Sequence, residues 1–121
     1  MRRQRKTSHA AMVRKADKLF SLIVRNARRC QANDGRPCNG PLQCAHIFSR
    51  RYQGSRWMLA NAVSLCAGHH VFYTHRPEEW EDWRRKFLAS HYDYVRGQAL
   101  NGGKQDMKAV LASLQNASQT A

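Results

Sequence analysis

Four cysteines and an adjacent histidine pair, His69–His70, constrain this chain more than any other feature. A chain of 121 residues has little room for an apolar core, so a bound metal would do much to hold it together. Cys66 and His69 stand at the C-x2-H spacing that zinc takes where a strand end feeds a helix, because residues i and i+3 then converge on one ion. Zinc needs two more ligands, and Cys30, Cys38 and Cys44 are the candidates. Seven residues separate Cys30 from Cys38, a wide gap for a ligand pair, but the loop between them carries Gly35 and Pro37 and can fold back on itself. Cys30 and Cys38 are the preferred partners of Cys66 and His69, with Cys44 as the alternative to Cys38. The competing reading makes these thiols small buried apolar fillers.

The charge balance is equally lopsided. Lys and Arg number 21 against 8 Asp and Glu, a formal net charge of +13, and the first 29 residues hold ten basic side chains and one acid. Such an imbalance favours a polyanionic partner, a nucleic acid, through release of counterions from phosphates. A basic protein that is merely well solvated is the bland alternative. No apolar run approaches the roughly 18 residues that a membrane span requires. The basic start MRRQRKTSHA is followed by charged residues and not by an apolar stretch, so no signal peptide is expected. Cysteines without a secretory signal point to a reducing compartment, the cytoplasm, where metal ligation is commoner than disulfide formation.

Along the chain, residues 1–10 read as a basic flexible arm. Met12, Ala16, Leu19, Phe20, Ile23, Val24 and Ala27 fall at helical spacing and predict an amphipathic helix over 11–28, with Arg14, Lys15, Lys18, Arg25 and Arg28 on its polar side. The stretch RCQANDGRPCNGPL is rich in turn residues. Residues 42–48 and 62–66 predict the two strands of a small ribbon, joined by the basic, aromatic connector SRRYQGSRWML. A short helix is expected from Ala67. Pro77 opens another, with Glu78, Glu79, Glu81 and Asp82 near its positive end and Trp80, Trp83, Phe87 and Leu88 as a stripe facing the core. That helix is expected to stop at RGQALNGG, residues 96–103. A last helix over 104–114 is expected to precede a frayed end.

The stretches CAHIFSRRYQGSRW, NAVSLCAGHH and YTHRPEEW set His46 fifteen residues before Asn61 and Asn61 nine before His70. In this order and spacing, over about Cys30 to Leu88, the chain resembles the HNH endonucleases of the ββα-metal fold, especially their small zinc-containing phage-type members. The resemblance implies an α+β fold, a small ββα-metal core with a structural zinc and flanking helices, in a nuclease domain over 11–95 followed by a C-terminal helix and tail over 96–121. It implies that His46 at the end of the first strand is the general base and that His70 holds a catalytic divalent ion, Mg²⁺, Mn²⁺ or another transition metal. Asn61 would brace the ribbon, orient the base or touch that ion. It also implies a phage or prophage setting, in the host cytoplasm, with recombination or packaging proteins as partners.

The two adjacent histidines then have separate tasks. Neighbours on a helix point about 100° apart, so His69 can complete a zinc site while His70 faces a second metal. Family members often carry Asp, Glu or His just before the base. Here that residue is Ala45, which implies weak or substrate-dependent binding of the catalytic ion. Arg50, Arg51 and Arg56 lie in the connector beside the base, and their guanidinium forks suit phosphate contact. Tyr52 and Trp57 could stack on a base or pin the loop. Two alternatives stay open: a non-catalytic zinc-stabilised nucleic-acid-binding module, and a recombination nuclease that uses the same site on branched DNA.

Overall fold

A computed structural model describes residues 8–120, so the basic arm expected at the N-terminus lies largely outside the described residues. The described chain is mostly helical with one small two-stranded sheet, an α+β arrangement. The first helix, α1 (His9–Arg25), starts where Ser8 accepts a hydrogen bond from the Ala11 backbone N–H at 3.1 Å, a cap worth about 1 kcal/mol. It ends three residues before the expected boundary, because the chain turns at Asn26 and Arg28 takes a positive φ of 59°.

Strand β1 (Leu42–His46) pairs antiparallel with β2 (Ala62–Cys66), with Leu42 opposite Cys66 and His46 opposite Ala62. β1 is two residues shorter than expected, although Ile47 and Phe48 continue inward as core residues. The connector holds one short helix, α2 (Gln53–Arg56), and a 3-10 turn over Leu59–Asn61. From β2 the chain passes directly into α3 (Ala67–Thr74), where the Cys66 sulfur accepts the His69 backbone N–H.

Pro77 is the first residue of α4 (Pro77–Leu88), with Glu78 and Glu79 in the first turn and Arg85 and Lys86 in the last, the order the helix dipole favours. The expectation of one helix running to residue 95 is corrected. The chain breaks at Ala89, where φ is 49°, and a new helix, α5 (Tyr92–Asn101), begins. This break lets both Leu88 and Tyr92 turn into the core. Residues 96–101 are therefore helical, not a breaker. Gly97 is tolerated because its neighbours Val95 and Ala99 are buried, and tertiary packing outweighs the roughly 1 kcal/mol glycine penalty. Gly102 serves a contact: a Cβ on the facing Gly54 would come within 2.0 Å of the Gln98 carbonyl, so α2 can rest on the end of α5 only through glycine. The last helix, α6 (Met107–Thr120), starts and ends later than expected, and the tail predicted to fray is helical to Thr120.

The ribbon separates two apolar clusters. On one side Ala16 and Phe20 of α1 meet Trp57, Ala62, Met107 and Leu114. On the other, Val63, Leu65, Ile47 and Phe48 meet Tyr73, Leu88, Tyr92 and Val95. β2 is buried along its whole length between them. Trp80 and Trp83 stack on each other, their ring centroids 5.5 Å apart, and pack against the second cluster, whereas Phe87 stays at the rim, 42% exposed. No helix among the described residues is long and apolar enough to cross a membrane.

Candidate functional site

Two groups of side chains meet at α3. The first is Cys30, Cys38, Cys66 and His69, whose ligand atoms all lie within 4.8 Å of one another. One ion at bond lengths of about 2.0–2.3 Å could reach all four. Gln31 brings Cys30 to this point by pairing with β2: its backbone N–H donates to the Ser64 carbonyl at 2.7 Å, and its side-chain oxygen accepts the Ser64 N–H at 2.8 Å. The loop carrying Cys38 docks on the start of α3 through Ala67 N–H to the Pro41 carbonyl and Gly68 N–H to the Asn39 carbonyl, each 2.8 Å. Gly40 permits that approach. Its φ is +82°, and a Cβ there would stand 2.8 Å from the Ala67 methyl.

The electrostatics suit a cation. Burial pushes the Cys66 thiol up, but the Asn39 and His69 backbone N–H groups and the His69 ring outweigh it and bring the thiol down to about 6. His69 Nε2 donates to Asp34 Oδ1 at 2.9 Å, so Nδ1 keeps its lone pair, 3.0 Å from the Cys66 sulfur and 3.5 Å from that of Cys30. Asp34 is itself held by the Tyr73 hydroxyl at 2.8 Å and the Arg36 guanidinium at 3.1 Å. A carboxylate behind the ring of a ligating histidine fixes its tautomer and raises its basicity. This Cys3His cluster could hold a metal ion such as zinc. Asp34 carries no sequence signal beyond its place in an Asn-Asp-Gly turn.

Cys44 stands apart from the cluster. It lies opposite Ser64, two positions along the ribbon from Cys66, and packs against the α1 cluster. Burial pushes its thiol up to about 11, and its sulfur is not among the four ligand atoms that the fold gathers. Cys38, not Cys44, is the cysteine that the structure brings to the group.

The second group lines an open cleft of about 580 Å³ along β1, with α1 on one side and α3 on the other. His46 and His70 both border it, and both also border a smaller recess beside Ala45. His46 Nε2 donates to the Arg56 carbonyl at 2.9 Å, since a carbonyl can only accept, and the ring therefore keeps its lone pair on Nδ1. Its ring stacks on Phe20 with centroids 5.2 Å apart. Burial, assisted by Arg50 and Arg56, holds its pKa below the ordinary histidine value despite the opposing effects of the Arg56 carbonyl and Asp17. His70 Nδ1 donates to the Gln43 side-chain oxygen at 2.7 Å, which leaves Nε2 as its lone pair, and burial lowers its pKa as well. The sequence reading missed Gln43, which strand alternation alone did not distinguish from any other polar strand residue.

Asn61 is fully buried and does not border the cleft. Its Oδ1 accepts the Phe48 N–H at 2.8 Å, and its Nδ2 donates to the Phe48 and Ser55 carbonyls, each at 3.0 Å. Of the roles expected for it, this geometry serves bracing of the loop after β1: the amide is turned to backbone groups, buried and off the cleft.

The three arginines do not act as one set. Arg50 lines the cleft beside His46. Arg51 turns away, bonds the Tyr52 hydroxyl at 2.8 Å and borders a separate groove with Arg84 and Arg96. Arg56, expected to contact phosphate, does not line the cleft, and Asp17 of α1 holds its guanidinium at two points, 3.1 and 2.6 Å. Asp17 is the sole acid among the first 29 residues, and that isolation is the sequence signal for its role. Trp57 is a pin, buried and bonded to the same Asp17 at 2.9 Å. Arg25 adds a second cation to the cleft wall, tied to Ser21 at 3.1 Å. Comparison with family models, with curated proteins and with solved structures found no match for this chain.

Proposed function

We propose that this chain is a metal-dependent DNA endonuclease of the HNH type, with a structural zinc on Cys30, Cys38, Cys66 and His69. One observation carries the reading: His46 and His70 border one cleft, and each ring has one nitrogen held by a protein oxygen and the other left with its lone pair. A ribbon that ends in one histidine and continues into a helix bearing the other is also the arrangement that the resemblance implies. The net charge of +13 supplies the attraction for a nucleic-acid backbone.

In this reading His46 Nδ1 removes a proton from the water that attacks phosphorus, as a neutral imidazole can near pH 7. The bond from phosphorus to the 3′ oxygen breaks, and that oxygen takes a proton from solvent water, giving a 3′-hydroxyl and a 5′-phosphate. A divalent ion, Mg²⁺ or Mn²⁺, bound at His70 Nε2 would neutralise charge on the phosphate and the leaving oxygen. Gln43 holds the His70 ring at Nδ1, so Nε2 would be the ligating atom. Arg50 and Arg25 stand on the cleft wall to meet the flanking phosphates. Ala45 contributes no donor, so the ion would depend on water and substrate oxygens for its remaining ligands. A phage or prophage setting rests on the resemblance alone.

Plasmid nicking in Mg²⁺ or Mn²⁺ tests the reading. His46→Ala is expected to lose about 10²–10⁴ in rate while still shifting DNA on a gel. A wild-type chain that shifts DNA and never nicks it under any divalent ion would instead be a zinc-stabilised binding module. Faster cutting of branched than of linear duplex would mark a recombination nuclease.

A further inference from the structure

We propose that Asp17 of α1 is a positioning residue for His46, acting through the peptide that joins Arg56 to Trp57. The inference rests on the endonuclease reading and concerns a helix outside the ribbon and α3. The carbonyl that accepts His46 Nε2–H belongs to that peptide, and Asp17 grips the side chain on each side of it. Its carboxylate takes Arg56 Nε at 3.1 Å and Nη2 at 2.6 Å, and Trp57 Nε1 at 2.9 Å. Holding both flanking side chains on one carboxylate opposes rotation of the peptide between them and favours a carbonyl aimed at the ring.

One helical turn further along the same face, Phe20 stacks on the His46 ring at 5.2 Å with 23° between the planes. The two contacts are complementary. Phe20 fixes the plane of the imidazole, and the Asp17 clamp fixes which nitrogen bears the proton. Without the clamp the carbonyl can drift, and an imidazole released from its acceptor redistributes between its two tautomers. The Nδ1–H form has no lone pair on Nδ1 to take a proton from water. Asp17, which also borders the cleft, thus raises the fraction of molecules that carry a competent base by acting through this peptide.

The test compares Asp17→Ala and Asp17→Asn with the wild type, reading the ¹⁵N signals of the His46 ring, assigned with His46→Gln, beside nicking kinetics. The wild type is expected to show His46 as the Nε2–H tautomer alone. Asp17→Ala is expected to populate the Nδ1–H form and to lose about tenfold or more in kcat. Its KM for DNA should hold or fall, because losing an acid and freeing a guanidinium adds positive charge. Asp17→Asn keeps an acceptor for Trp57 and is expected to lie between the two; it also decides the matter should the alanine variant fail to fold. Nδ1–H in the wild type overturns the proposal. So does an unchanged tautomer in a folded Asp17 variant, including one in which kcat and KM worsen together. A chain that never nicks DNA ends the endonuclease reading, and the ring signals still decide whether the clamp holds.

Discussion

His69 and His70 are adjacent on α3, yet their rings serve different neighbours: His69 is buried with Nδ1 3.0 Å from the Cys66 sulfur, whereas His70 bonds Gln43 of β1 at 2.7 Å on the edge of the cleft. One turn of helix therefore joins a cluster that could hold zinc to the proposed catalytic pair. Whatever fixes the first group also fixes the orientation of the second.

The metal cluster is the first place to press. Purified protein is expected to contain about one zinc per chain, and Cys66→Ala or His69→Ala to contain none and to melt far lower. Metal binding to such a cluster is folding free energy, and its loss removes a large part of the roughly 5–15 kcal/mol that holds a domain together. Cys44→Ala should keep its zinc. Elemental analysis and thermal melts check all of these, and a zinc-free wild type with the same melting temperature would dismiss the zinc assignment.

Gln43→Leu removes the acceptor that turns the His70 ring. The expected outcome is a weakening of catalytic-ion affinity by about 10- to 100-fold. Nicking rates titrated with Mn²⁺ would show the curve displaced to higher metal, with the plateau recovered at saturation. An unmoved titration would remove Gln43 from the site.

Asn61→Ala leaves a donor and two acceptors at Phe48 and Ser55 without their buried partner. Urea unfolding should show a loss of about 3 kcal/mol. Asn61→Asp should fare worse, since a carboxylate cannot donate to the two carbonyls. If both variants unfold at the wild-type midpoint, the bracing role is wrong.

Acid should weaken the junction of α4 with the end of β1. Burial pushes Glu81 up, but Arg84, Tyr92 and Arg85 outweigh it and bring the carboxyl down from 4.5 to about 2. Arg84 in turn donates to the Ile47 carbonyl at 2.7 Å. A group with a lower pKa in the folded state gives its stability in full above its unfolded value and loses it below. Stability should therefore fall as the pH drops from 4.5 towards 2, and Glu81→Gln should flatten this part of the curve. Matching urea midpoints against pH for the two proteins checks the slope.

Much of this was legible from local pattern. The apolar stripe of α1, the two short strands, the start of a helix at Ala67 and the start of another at Pro77 all follow from spacing within a turn or two. Cys66 and His69 likewise pair through an i, i+3 relation that any strand-to-helix junction would provide. The break at Ala89 left no such trace, because it serves the burial of Leu88 and Tyr92 in a core built from distant residues. Gly102 looked like a helix breaker and is a contact point for Gly54, which no pattern around either glycine announces.

By itself, the sequence determined periodicity, charge and the kinds of ligand available. Only the tertiary structure decided among residues of the same kind: Cys38 over Cys44, and Arg50 in the cleft while Arg56 is claimed by an aspartate 39 residues away. The physical reason is range. Helix and strand spacing is a property of neighbouring residues, but the partner of a thiol or a guanidinium is whichever group the packing of far-apart segments brings within about 3 Å.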